Sequence, residues 1–225
     1  LNKTILCNDS GIQLIHIFED EWLYKKDIVK SRLRNILGMI DNKIFARKCE
    51  IREVNTKEKT KFLNDNHIQG AVGSKINLGL YYNNELVSIM TFGSFRKVLG
   101  LKNIENKYEL IRFCNKINAN VIGGASKLLK HFIGTYQPKE IISYADRRWS
   151  TGNLYDKLGF SYDHNSNPNY FYIINNSREH RFKYRKDILI REGFDKNKTE
   201  HEIMLERGIY RIYDCGTITY KKTLY

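Results

Sequence analysis

No stretch of this sequence approaches the roughly 18 consecutive apolar residues that a membrane-spanning helix needs, so the chain is expected to work without a membrane. Its first ten residues, Leu1 to Ser10, are not basic, lead into no apolar signal core and lack an initiator Met. They read as the start of a fragment of a longer product, without an export signal. Cysteine is scarce, at positions 7, 49, 114 and 215, and no C-x-x-C pair occurs. That spacing argues against zinc, and Cys114, in an apolar strand, reads as a core residue. Free thiols and a cytoplasmic location are the corresponding expectations. Repeats, low-complexity tracts and long linkers are missing as well.

Acid is also in short supply. Asp and Glu number 25 against 38 Lys and Arg, a formal charge of +13. A surplus of this size favours a polyanionic partner, with nucleic acid first. What is present suits a folded domain: 41% hydrophobic and 28% charged residues.

Periodicity organises the chain. Gly11–Phe18 (GIQLIHIF) reads as an apolar strand, followed by a basic helix to about Leu37. Cys49–Val54 alternates like a strand, and Asn55 or Thr56 can cap a helix that ends near His67. Two strands, Ile76–Tyr82 and Glu85–Gly93, flank Asn83-Asn84, residues that suit a hairpin turn. A strand with Arg112, a Gly123-Gly124 turn, an apolar-faced helix, a strand ending at Asp146 and a short helix closing on Phe160 form a βαβα unit. Tyr170–Ile174 is a further strand. Beyond it a helix is expected within RFKYRKDILIREGF, another in KTEHEIMLERG, and a closing hairpin in YRIYDCGTITY. The order predicts an α/β fold, a mixed and mostly antiparallel sheet flanked by helices. Residues 1–40 and 177–225 read as basic extensions of a domain spanning 41–176.

Candidate site residues concentrate in the βαβα unit. Gly123-Gly124 serves any tight turn, but at a helix N-terminus it can also present N–H groups to an anion. Asp146 ends a strand, where open α/β sheets place ligands. It can orient or deprotonate an amine, or it can cap the next helix or pair with Arg147 or Arg148. Tyr144 and Trp149 can stack on an extruded base, with Arg147 and Arg148 on phosphates. Aromatics in this setting are more often core, which suits Tyr144 inside its strand, whereas Trp149, between Arg148 and Ser150, is harder to bury. His67 is a candidate base or ligand, and equally a helix-end group; no second His or carboxylate stands nearby at metal spacing, so no metal site is expected. Tyr155 is a core residue or a proton donor to a leaving group. In the tail, Arg181, Lys183, Arg185 and Lys186 interleave with Phe182 and Tyr184, which suits a groove that tracks a nucleic-acid backbone. A solvated surface has the same composition.

The order of elements, the turn Ile122-Gly123-Gly124-Ala125-Ser126 and the segment Asn153–Phe160 (NLYDKLGF) together resemble the GNAT acyltransferase fold. That resemblance, over roughly residues 44–175, implies a cofactor pyrophosphate at Gly123, Gly124, Ala125 and Ser126, and Tyr155 facing a leaving thiol. The turn departs from the Arg/Gln-x-x-Gly-x-Gly/Ala pattern of ordinary acetyltransferases. His67-Ile68-Gln69-Gly70, Arg112 and Ser143-Tyr144-Ala145-Asp146 resemble the phage Mom-type subgroup, which implies modification of an adenine amino group in double-stranded DNA. Acetyl-CoA or another acyl or carbamoylmethyl donor would be held by Arg112 and the glycines, and Asp146 or His67 would handle the proton. Residues 11–22 resemble the last strand of very-short-patch-repair-type endonucleases, a remnant without its nuclease core. An acetyl-CoA-dependent N-acetyltransferase acting on a protein or small amine, and a DNA-binding module of a homing endonuclease, stand as alternatives.

Overall fold

The structure, a computed structural model, describes residues 1–94 and 106–224. Its contacts divide the chain into two compact units. A small unit gathers residues 1–24, 146–151 and 165–217; a sheet unit gathers 25–145, 152–164 and 218–225. Boundaries expected at residues 40 and 176 do not coincide with this division. In chain order the described helices are α1 (Asn2–Asp9), α2 (Glu19–Tyr24), α3 (Lys26–Ile36), α4 (Thr56–Asn66), α5 (Gly124–Tyr136), α6 (Asn153–Lys157), α7 (Lys186–Arg191) and α8 (Glu200–Glu206). The strands are β1 (Lys43–Phe45), β2 (Glu50–Glu53), β3 (Ile76–Tyr82), β4 (Glu85–Ser94), β5 (Lys107–Asn115), β6 (Asn120–Ile122), β7 (Glu140–Asp146), β8 (Ser161–Asn165), β9 (Tyr170–Ile174), β10 (Ser177–His180), β11 (Arg211–Tyr213) and β12 (Thr217–Thr223).

The sheet unit is built on seven strands in the order β2-β3-β4-β5-β7-β12-β8, with β1 and β6 as a separate parallel pair. Pairing is antiparallel from β2 to β5 and parallel between β5 and β7. Local chemistry sets the elements. Asn83 and Asn84 both take positive φ, 49° and 62°, the primed turn whose twist matches a two-residue hairpin. The Asn55 side chain accepts the Glu58 N–H at 3.0 Å and starts α4. Gly123, at φ +77°, turns the chain into α5. That helix covers one sheet face, where Phe132 stacks on Phe92 with ring centroids 3.6 Å apart. Phe62 and Leu63 of α4 pack with Ile89 on the other face. A mixed, mostly antiparallel sheet flanked by helices is therefore what the residue pattern produces.

The small unit carries a three-stranded antiparallel sheet, β10-β9-β11. Tyr172, Leu189, Ile203 and Met204 form its core. Helix α8 starts with a complete capping box between Thr199 and Glu202.

Two sequence expectations fail. Gly11–Phe18 forms no strand; the His16 N–H donates to the Arg148 carbonyl at 3.2 Å, in a turn rather than a ladder, and Ile12 stays 58% exposed. Helix α1 precedes it instead. The endonuclease likeness loses the strand it rested on. The closing hairpin is not a hairpin either: β11 pairs with β9, whereas β12 lies between β7 and β8. Gly216, at φ +75° and with its N–H on the Asp214 carboxylate, redirects the chain between them.

Candidate active site

The site begins with a fork in the sheet. β5 and β7 pair in parallel only from Lys107↔Glu140 to Leu110↔Ser143, although both strands run on. At the apex the Ser143 hydroxyl donates to the Leu110 carbonyl at 2.9 Å and lies 2.9 Å from the Tyr155 hydroxyl. Because Ser143 has one proton and gives it to Leu110, Tyr155 is the donor in their bond. The Tyr155 ring stacks on Tyr220 and meets Phe160 edge-on. Burial pushes its phenol up and the Ser143 contact works against that, so it is a protonated group at neutral pH.

Immediately past the apex β5 bulges. Leu110 pairs with Phe92 and Arg112 with Thr91, leaving Ile111 over. The extra residue turns Ile111 and Arg112 toward one face. Gly93 makes room: a Cβ there would stand 2.7 Å from Ile111 Cδ1. Arg112 Nε donates to the Gly70 carbonyl at 3.3 Å, which ties the fork to the His67–Gly70 loop. Thr91, cross-strand from Arg112, is fully buried, and its hydroxyl has no partner among the described residues. Such a group costs about 1–3 kcal/mol when nothing satisfies it.

His67 ends α4, partly buried, and its Nδ1 accepts the Gln69 N–H at 3.1 Å. Burial, followed by the charges of Arg112, Arg32 and Lys25, holds its pKa well below the ordinary value. The ring is neutral with its proton on Nε2, so in this arrangement it offers a donor rather than a base. Cys114 is pushed up to about 12 by burial and stays a thiol, which agrees with a core role.

Among the glycines, Gly123 is solvent-exposed and α5 has no side-chain cap, so its leading N–H groups can meet an anion. Gly124 is a packing requirement, since a Cβ would press Val121 at 3.1 Å. Ala125 is buried and Ser126 exposed. Lys127 is committed elsewhere: its Nζ donates to the carbonyls of Ala46, at 3.0 Å, and Cys49.

Most of the other candidates belong to the small unit. Asp146 belongs to the small unit, where Oδ1 accepts the Arg148 N–H at 3.0 Å and Oδ2 pairs with the Arg148 guanidinium at 2.8 Å. Arg148 is 4% exposed, held also by Glu21 at 3.1 Å, and lies over Phe18. It is therefore a structural cation, and the pairing of Asp146 with Arg148 is the alternative that describes Asp146 here; the next helix is capped at Gly152 without a side chain. Trp149, expected to resist burial, is 3% exposed; the Asp146 carbonyl accepts its N–H and folds the turn inward. Arg147 and Tyr144 are partly buried. Arg181 lies over the Tyr170 and Phe182 rings, Lys183 pairs with Glu179, Arg185 with Asp187, and Lys186 is exposed.

Sequence reasoning missed Ser143 as the partner of Tyr155, Arg32 beside His67, the Thr91 hydroxyl, and Glu109, a carboxylate only 1% exposed in β5. A charged residue inside an apolar strand was the available signal for Glu109. The bulge left none. Among the described residues no cluster of three metal-ligating side chains occurs.

Comparison with solved structures finds similar folds among acetyltransferases. A Bacillus subtilis acetyltransferase in complex with CoA is 13% identical, with a TM-score of 0.45 over 79% of this chain and 100% of that one. The ribosomal-protein-S18-alanine N-acetyltransferase of Escherichia coli is 12% identical, with a TM-score of 0.47 over 78% and 93%. A GNAT family acetyltransferase from Elizabethkingia anophelis with acetyl-CoA bound is 13% identical, with a TM-score of 0.44 over 79% and 99%. No curated protein matches the sequence. The profile of the Mom protein family does, from residue 48 to residue 212. That span holds the fork, the glycine turn and most of both units, and the chain belongs to the Mom protein family.

Proposed function

We propose that this chain is a GNAT-like transferase that modifies an adenine amino group in double-stranded DNA. One observation carries the reading: the sheet opens between β5 and β7 at the point where the Tyr155 hydroxyl, the bulged Arg112 and the orphaned Thr91 hydroxyl occur. Membership of the Mom family supports it. Acetyl-CoA, or another acyl or carbamoylmethyl donor, supplies the electrophile when bound. The residues present fit an anionic donor, because Gly123 is exposed and the α5 N-terminus is uncapped.

The chain's own contributions follow from its hydrogen bonds. Arg112, fixed by the Gly70 carbonyl, adds positive charge beside the fork. Tyr155, a protonated phenol held by Ser143, can pass its proton to a leaving group and recover one from the amine after the new bond to nitrogen has formed. His67 Nε2–H can donate to a ring nitrogen or a carbonyl. An exocyclic amine is a weak nucleophile, so positioning is the larger part of the task.

The test is mass analysis of nucleosides from DNA of cells expressing the chain. The expected result is a deoxyadenosine of increased mass whose yield falls about 100-fold with Tyr155→Phe. Unchanged deoxyadenosine, together with acetyl-CoA turnover on peptide or small amines, overturns the reading in favour of an ordinary N-acetyltransferase.

A further inference from the structure

The charge surplus has an address. The sheet unit holds 25 Lys and Arg against 12 Asp and Glu, and the small unit 13 against 13, so the whole excess of 13 lies in the former. From the geometry of α3 we infer that its outward face is the surface that tracks the phosphate backbone of duplex DNA. This rests on the transferase reading above.

Lys26, Lys30 and Arg34 recur every fourth residue and are all exposed. On a helix of 3.6 residues per turn this places them on one stripe. The buried residues Ile28, Val29 and Ser31 occupy the opposite side. Successive charges climb about 6 Å, so the stripe spans about 12 Å. Lys30 and Arg34 form no ion pair with a carboxylate among the described residues; the Arg34 guanidinium meets only the Asn118 amide oxygen at 3.4 Å. No aromatic residue lies within the helix. A stripe of cations without stacking rings suits a regular duplex backbone rather than splayed single strands.

The helix is also held against the candidate site. At its start Lys25 Nζ donates to the Ile68 carbonyl at 2.6 Å, inside the loop that Arg112 grips at Gly70. Farther along, Ser31 Oγ accepts the Asn118 N–H at 2.8 Å, in the turn before β6 and the glycine pair. Arg32, on the inner side, lowers the His67 pKa through its charge. DNA lying along the outer stripe is therefore registered to the same compact unit as the fork, as a backbone contact must be to position a base.

The test is binding of a fluorescent duplex of about 20 base pairs as a function of salt, with the full chain. The variant Lys26→Gln/Lys30→Gln/Arg34→Gln is compared with Lys183→Gln/Arg185→Gln/Lys186→Gln and the parent, each checked by circular dichroism. Each lost phosphate contact lowers the slope of log K against log salt by about 0.9, so the α3 variant is expected to lose about 2.7, and about tenfold or more in affinity near 0.1 M salt. The small-unit variant is expected to match the parent. An α3 variant that binds like the parent overturns the inference, even where adenine is still modified. Equal loss in both variants, or tighter binding to single strands or RNA than to duplex, overturns it too. If the parent binds duplex through α3 but leaves nucleosides unchanged, the surface stands and the transferase reading falls.

Discussion

The two units handle charge in opposite ways. In the small unit cations are used up internally: Arg148 and Arg178 converge on Glu21, with Asp146 and Asp20 completing the set, and Phe18 takes both guanidinium groups at 4.4 and 3.8 Å from its ring centre. Two of its surface lysines also find carboxylates, Lys183 with Glu179 and Lys198 with Glu206. In the sheet unit Lys30, Arg34, Lys43, Arg47 and Lys48 are exposed and form no ion pair among the described residues. The small unit thus balances its charge, 13 Lys and Arg against 13 Asp and Glu, while a helix of the sheet unit with a less conspicuous composition is open. Density of Lys and Arg along a sequence measures neither burial nor neutralisation. It is the uncompensated, exposed fraction that creates a field for a polyanion.

The strongest way to break this comparison is to open the closed unit. Arg148→Met leaves Glu21 and Asp146 without their shared cation. Removing one partner of a buried pair costs about 3–5 kcal/mol. Urea denaturation should show a loss of that size in the transition of the small unit, and a loss under about 1 kcal/mol would mean that the network is incidental. Next in size is Tyr155→Phe in the sheet unit. Ser143 keeps its bond to Leu110, so folding should change little, while modification of DNA drops about 100-fold, the low end for a lost proton-transfer group. Equal rates for Phe and Tyr would remove Tyr155 from the chemistry and leave it a packing residue against Tyr220.

Much of the sheet unit was legible in the sequence because its signals are local. Asn55 caps α4, Asn83-Asn84 turns the hairpin, and Gly123 opens α5; each is a residue whose own backbone or side chain does the work. What was not legible depends on distant partners. GIQLIHIF has the composition of a strand, but a strand exists only beside another edge. β11 and β12 are three residues apart and still join different sheets. The Arg112 position within its strand was readable, yet its face is decided by the Ile111 bulge, which depends on the pairing with β4. Trp149 was misjudged because burial of a turn cannot be inferred from its charged neighbours. The candidate residues were therefore visible as types, and the unit to which each belongs was not.

A pH series sharpens the comparison at smaller cost. His67 has a depressed pKa in the folded sheet unit, so the unfolded chain binds a proton first as pH falls. The stability of that unit should be flat above about pH 6.5 and decline below it, through the window between the ordinary histidine pKa and the lowered one. His67→Gln should flatten the decline in urea titrations. His16 is shifted the same way in the small unit, mainly by burial, so the His67 substitution is expected to leave the small unit's own acid sensitivity in place. If His67→Gln abolishes acid sensitivity in both transitions, the two units do not titrate independently.

The smallest effect concerns the exposed pairs that make the small unit look basic. Lys183 and Glu179 are four residues apart, with side chains 65% and 30% exposed. Exposed pairs of this kind contribute a small fraction of what a buried pair does and are screened by salt. Lys183→Gln should therefore cost no more than that at low salt and nothing measurable at 0.5 M, because a Debye length of a few ångströms leaves little attraction. The buried Arg148–Glu21 contact has no solvent to screen it, so the cost of Arg148→Met should be the same at both salt concentrations. A salt-independent cost for Lys183 would place its charge, too, inside the closed network and extend that network to the surface.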